Sequence, residues 1–232
     1  MLSAEVLGIV MLSLKVALVS VAFSLPLAIA VAYLLARHDF PGKMLLDAVV
    51  HLPLVLPPVV VGFALLLLFG RNGWLGARLA DWFGIVFAFR WTGAALAAAI
   101  MGFPLMVRAM RLSFAGIDRR LETVGRTLGG SRGWVFLSVT LPLGLPGIIS
   151  GVVLAFARSL GEFGATITFV SNIPGETQTL PLAIYTLTQL PNGDAQALRL
   201  SAIAVVLSIV ALIAAEWLAR LPRFAGADHD RR

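Results

Sequence analysis

The chain has 232 residues, 59% of them hydrophobic and only 13% charged, with 18 Lys and Arg against 12 Asp and Glu. Soluble domains carry about 25% charged residues, so this composition and a mean hydropathy of +0.93 exclude an ordinary water-soluble globule. Lipid must be the solvent for much of the chain, because a globule of this size has no interior large enough for so much apolar surface. The absence of cysteine excludes disulfides, thiolate metal sites and a thiol nucleophile. The excess of six positive charges comes without an aromatic-basic face or zinc-ligand spacing, so nucleic acid is not an expected partner.

In chain order, apolar runs predict an all-α polytopic membrane protein. Five spans are expected near 12–36, 47–69, 91–111, 136–158 and 199–218. These runs are continuously apolar and not alternating, which argues against a β-barrel. No basic stretch precedes the first run, so it reads as a retained span and not a signal peptide. Pro57 and Pro58 fall inside the second expected span and Pro104 inside the third. Each removes a backbone donor, and lipid tolerates that only where protein or a cavity serves the freed carbonyls. Spans two to four are therefore expected to bend around a pathway, with Pro57, Pro58, Gly62 and Pro104 as candidates. Segment 163–197 contains no Lys or Arg and reads as an outer loop with a partly buried hairpin. Trp74, Trp82, Trp91 and Trp217 fall near expected interfaces, where aromatic belts occur.

Basic residues set the orientation. Arg37 and Lys43 follow span one, six arginines from Arg108 to Arg132 follow span three, and Arg220, Arg223, Arg231 and Arg232 follow span five. These segments share one side in a five-span chain and hold 12 of its 18 basic residues. That side is expected to be cytoplasmic, with the N-terminus outside. Arg71, Arg78 and Arg90 after span two dissent.

The chain carries little chemistry of its own. The only Gly-Lys pair, Gly42-Lys43, is followed by Met44, so no phosphate-binding P-loop is present. His38, His51 and His229 lack metal-ligand spacing, and no metal or cofactor is expected. His51 reads as an interfacial or packing residue.

Segment 116–131 is the most informative. Asp118 can cap a short helix, and Leu121, Val124, Gly125 and Leu128 recur at helical spacing to form a narrow apolar face. Gly129 can end that helix in a left-handed turn. Such a helix suits a groove on a partner, or equally the anionic surface of a membrane. Farther on, Arg158 and Glu162 stand four apart at the end of span four. They can pair as a clasp, or Arg158 can lend positive potential to an oxyanion path.

Residues 123–142 resemble the cytoplasmic pattern of permease subunits of bacterial ABC importers: Glu-Ala-Ala, three residues, Gly, nine residues, Ile-any-Leu-Pro. Here it runs Thr123-Val124-Gly125, Arg126-Thr127-Leu128, Gly129, then Val139-Thr140-Leu141-Pro142 after nine residues. Thr123 stands at the glutamate position, with Glu122 next to it. Leu52 to Gly62, Phe103 to Arg108 and Phe156 to Thr166 look like the molybdate branch of that family. The resemblance covers about 13–220 and implies a single permease domain over 1–222 with a tail at 223–232. It also implies a pore of two copies of the chain, two ATPase subunits beneath it, and a periplasmic molybdate-binding protein, in the bacterial inner membrane. The ATPase would be gripped by Arg120, Leu121, Glu122, Thr123, Val124, Gly125, Arg126, Leu128, Gly129, Ser131, Leu141 and Pro142. Arg158, Ser159, Gly161 and Glu162 join the proline and glycine positions as pathway or gate candidates. The chain itself would not be an enzyme.

Overall fold

The structure, a computed structural model, describes residues 4–220, without the side chains of 215, 216 and 218–220. The expected tail at 223–232 and the side chains of Arg220, Arg223, Arg231 and Arg232 lie outside the described residues. Every regular element among the described residues is helical.

Four long apolar stretches can cross a membrane. They are α1 (Ala4–Arg37), α5 (Trp91–Ala115), a continuous 132–160 unit and α11 (Asp194–Arg220). The 132–160 unit consists of α7 (Arg132–Val135), a π-helical turn over Phe136–Thr140, and α8 (Leu141–Leu160). The second expected span is not one helix. It divides into α2 (Lys43–Val55) and α3 (Pro58–Phe69), bent by 113° at the break between them. Pro57 supplies the N-cap of α3 and Pro58 its first turn; neither ring can carry a ladder hydrogen bond, and the helix stops ahead of them. The bending expected of the third span is absent as a break. Helix α5 runs through the buried Pro104 without interruption.

Helix α5 is the hub, with 67% of its most apolar window buried against 11% for α11. Its first half is Gly93, Ala94, Ala95, Ala97, Ala98 and Ala99, all buried. Such small residues let neighbouring backbones approach where lipid offers no hydrophobic driving force between helices. Helix α8 meets it with Gly151, where an added Cβ would lie 2.9 Å from the Met106 carbonyl oxygen. Side chains of α1 and α8 complete this core around Met106, Val107, Met110 and Phe114.

Contacts at the helix ends define the course of the chain. The Lys15 ammonium lies 3.5 Å from the centre of the Trp91 ring, and the Arg37 guanidinium donates to the Ile117 carbonyl at 3.0 Å. Helices α1 and α5 therefore run in the same direction. The connection between them, which holds α2, α3 and α4 (Trp74–Phe83), must return the chain to its starting face, so the bent pair serves as one crossing. Helix α8 then runs antiparallel to α5, since Gly151 meets Met106 and Gly102 meets Ala155. Five passes result.

Arg78, one of the dissenting cations, folds back on α4. It donates to the Trp74 carbonyl at 2.8 Å and its guanidinium lies 4.4 Å from that ring. Segment 163–197 forms two short helices, α9 (Gly164–Val170) and α10 (Leu180–Thr188). They are more deeply packed than a surface loop: Ala165, Phe169, Val170, Leu180 and Leu182 are all buried. The buried Ser13 hydroxyl of α1 receives the Leu180 N–H at 2.7 Å and fixes the start of α10.

Candidate functional site

The segment after α5 folds as a compact helix, turn and helix. Asp118 is the N-cap of α6 (Arg119–Thr127), and its carboxylate accepts the Arg120 N–H at 2.8 Å. This satisfies one of the donors a helix start leaves open. Gly129 turns the chain with φ +90°, a left-handed conformation that a side chain resists. Gly130 returns its N–H to the Gly125 carbonyl at 3.1 Å. Ser131 then caps α7 by accepting the Trp134 N–H at 3.3 Å. Gly125 faces Val135 so closely that an added Cβ would lie 3.1 Å from its methyl group.

Helix α6 has two distinct faces. Leu121, Val124 and Leu128 point outward, 47%, 55% and 82% exposed. That much apolar surface on so short a helix marks a contact surface. Thr123, at the position where the family pattern has Glu, is exposed and donates only to the Arg119 carbonyl at 3.2 Å. Glu122 points the other way and is buried. Its carboxylate lies 3.3 Å from the Arg37 guanidinium and accepts the Thr140 hydroxyl at 2.8 Å. The Arg37 side chain is 4% exposed. One carboxylate thus joins α6 to the end of α1 and to the π-turn that opens α8. Leu141 and Pro142 start α8 just beyond it. Arg120 and Arg126 are exposed on α6.

Two of these partners were not among the sequence candidates. Arg37 counted only as an orienting charge, and Thr140 only as part of the matching pattern. No local signal announces either, because both lie far from Glu122 along the chain. A π-turn is rare and often accompanies function, but its residues, Phe136 to Thr140, carry no mark of it in composition.

A second cluster gathers at the other end of α8. Arg158 and Glu162 form an ion pair at 2.6 Å, with 27% and 2% side-chain exposure. The Glu162 carboxylate also accepts the Ala165 N–H at 2.9 Å, so it holds the start of α9 while pairing with α8. Ser159 bonds to Ser20 of α1 at 2.7 Å, and Gly161 ends α8. Gly62 of α3 allows the Ala165 backbone to approach: an added Cβ would stand 2.8 Å from the Ala165 Cα. Pro58 abuts Gly164. Pro58, Gly62, Arg158, Ser159, Gly161 and Glu162 therefore belong to one region where α1, α3, α8 and α9 meet, with Pro57 at the bend beside it. Pro104 stands apart, level with Gly151 and Ala155 in the middle of α5. Ser20 is the member of this cluster that sequence reasoning missed.

His51 has a local role. Its Nδ1 lies 2.9 Å from the Asp47 carbonyl, and Asp47 in turn pairs with Arg111 at 2.7 Å, tying α2 to α5. Beyond α1, the exposed Asp39 is held below the usual carboxylate range, first by its hydrogen bond from Lys43 and its charge, and to a lesser extent by Arg119 and His38.

Relatives agree with this architecture. The permease of the molybdenum transport system of Escherichia coli K12 is 64% identical over 214 residues, covering 92% of this chain and 93% of that protein. The corresponding protein of Haemophilus influenzae is 57% identical over 209 residues, 90% and 91% of the two chains. A sulfate transport system permease of Synechococcus elongatus is 40% identical over 173 residues, 75% of this chain and 60% of that one. Among solved structures, a bacterial alginate ABC transporter gives a TM-score of 0.74 at 16% identity, covering 94% of this chain and 79% of the other. A methionine ABC transporter in an inward-facing conformation gives 0.72 at 14% identity, covering 94% and 98%. At such identities the likeness shows the fold. Residues 24–223 match the family described as the binding-protein-dependent transport system inner membrane component, and this polytopic chain belongs to it as a permease subunit.

Proposed function

We propose that the chain forms the translocation pathway for molybdate in an ATP-driven importer of the bacterial inner membrane. Two copies would build the pore, two ATPase subunits would dock beneath it, and a periplasmic binding protein would deliver the oxyanion. The observation that carries this reading is the 64% identity with a molybdenum permease over more than nine-tenths of both chains. The more distant sulfate permease relative makes sulfate the competing substrate, with tungstate grouped with molybdate. A stand-alone anion channel would leave the outward apolar face of α6 without a purpose.

In this reading, the face carrying Arg37, Arg111 and α6 is cytoplasmic, since basic residues accumulate there. The ATPase grips Leu121, Val124 and Leu128, flanked by Arg120, Gly129 and Ser131, while Thr123 and Arg126 turn to the opposite side of α6. Nucleotide-driven closure moves α6. Glu122 carries that movement into α1 through Arg37 and into α8 through Thr140, Leu141 and Pro142. At the far end, Pro57, Pro58, Gly62, Ser159, Gly161 and the Arg158–Glu162 pair form the region that opens and closes, with Pro104 deeper in the pathway wall.

Proteoliposomes test the function directly. Labelled molybdate should enter only with the ATPase, ATP and binding protein present, and a tenfold excess of sulfate should not compete. Uptake by the chain alone, or preference for sulfate, would overturn the proposal.

The outer cluster has its own test. Arg158→Gln alone leaves the buried Glu162 carboxylate without its cation, a costly state, so uptake at limiting molybdate should fall about tenfold or more. The double change Arg158→Gln with Glu162→Gln removes both charges and should restore uptake if the pair is a clasp. An equally impaired double variant would instead assign the arginine's charge to the oxyanion path.

A further inference from the structure

Behind α6, on the side away from its apolar face, lies a cavity of about 850 Å³ between the end of α1 and the start of α7. Arg119, Glu122, Thr123 and Arg126 line it at spacings of three and four, one face of the helix. Arg37 of α1, His38 just beyond it and Arg132 of α7 also line it, so the lining holds four arginines and one carboxylate. That carboxylate is already engaged by Arg37 and Thr140. Among the described residues, Arg119, Arg126 and Arg132 form no ion pair, although Arg119 is near enough to Asp39 to lower its pKa. The Arg37 Nε is buried and has no hydrogen-bond partner.

The lining of this cavity therefore carries a net positive charge, and arginine forks match tetrahedral oxyanions by paired hydrogen bonds. Beside Arg37, α1 lines the cavity with Ala30, Tyr33 and Leu34, and the π-turn adds Phe136, so part of the wall is apolar. Leu34 is part of the surface α1 shows to its surroundings, 37% exposed. A basic recess with a greasy wall at the end of a membrane helix suits an anionic headgroup with its acyl chain alongside.

We propose that this cavity is a binding site for a phosphate-class anion, the headgroup of an anionic phospholipid or free phosphate, seated between α1 and the face of α6 opposite its contact surface. The bound anion neutralises Arg119, Arg126 and Arg132 and braces the helix that carries the apolar face. That the site lies in the inner leaflet rests on the orientation proposed above, but binding itself does not.

The test uses the purified complex of permease and ATPase in detergent. Native mass spectrometry would count bound phosphatidylglycerol, with phosphatidylcholine as the neutral control, and equilibrium dialysis would follow labelled inorganic phosphate. Arg119 and Arg132 are exposed and form no ion pair among the described residues, so Arg119→Gln with Arg132→Gln removes two charges without touching the buried Arg37–Glu122 pair. One saturable phosphatidylglycerol per permease copy is expected, weakened roughly thirtyfold in the double variant at about 1 kcal/mol per arginine. If inorganic phosphate binds and shows that loss while the lipid does not, the site takes the free anion. Absence of saturable binding of either probe, or equal binding by wild type and variant, would overturn the proposal. Sidedness is read separately, by reaction of an Arg132→Cys variant with an impermeant thiol reagent in oriented vesicles. Labelling from the periplasmic side would refute the orientation while leaving the anion site standing.

Discussion

Replacing Glu122 with alanine should destabilise the permease by about 3–5 kcal/mol, because it leaves Arg37 buried without a counter-charge. The Arg37 side chain is 4% exposed and that of Glu122 10%, so solvent replaces the lost partner poorly. For a chain of this size the loss corresponds to a fall of roughly 10 °C in apparent melting temperature, measurable by thermal unfolding in detergent. The Thr140 hydroxyl, 0% exposed, also loses its acceptor. A double change, Arg37→Met with Glu122→Met, removes both charges and should recover most of the stability, as apolar replacements of buried pairs commonly do. Uptake per ATP hydrolysed should remain low in the double variant, since directional bonds from α6 to α1 and α8 give way to non-directional packing. Full uptake there would make the pair purely structural. A single variant melting like wild type would contradict the buried geometry itself.

Val124→Asp together with Leu128→Asp should abolish stable association with the ATPase while leaving the permease folded. Both residues are more than half exposed, and exposed substitutions of this kind change stability by about 0.5 kcal/mol or less. In the complex the two side chains would leave water, contributing about 2 kcal/mol each. Their loss lowers affinity roughly a thousandfold, before the cost of burying two carboxylates. Co-purification with the ATPase reads the association, and the melting temperature of the permease alone reads the fold. A complex that survives both changes with normal transport would remove α6 as the docking element. This outcome differs from that of the Glu122 variant, in which stability falls first.

Much of this was legible in the residues. Long charge-free runs announce membrane helices because hydropathy acts residue by residue over about 20 positions. Asp118, the recurring apolar positions of α6 and Gly129 announce a capped helix with a left-handed stop, because capping and turn chemistry are local. The residues around Arg158 and Glu162 pair four apart on the same segment, again a local relation. Other features were not legible. The prolines at 26, 53, 104 and 146 all lie inside helices, yet only Pro57-Pro58 coincides with a sharp break. A lone proline removes one bond, and close neighbours can compensate for it, as the buried setting of Pro104 suggests; two in succession interrupt the ladder twice.

Thus the amino-acid sequence by itself determined that the chain lives in lipid, that it crosses about five times, and that a short amphipathic helix interrupts the crossings. Those properties follow from hydropathy, helical period and caps, all of which act over a few neighbouring residues. Only the tertiary structure decided that α2 and α3 fold into one bent crossing, and that Glu122 turns inward to Arg37 and Thr140 while Leu121, Val124 and Leu128 face out. It alone gathered four arginines around one cavity and joined Ser20 to Ser159. Apart from the bend at Pro57-Pro58, these features join residues far apart along the chain. Their meeting depends on how closely the small-residue faces of α5 and α8 let the helices pack, and short-range preferences do not encode that register.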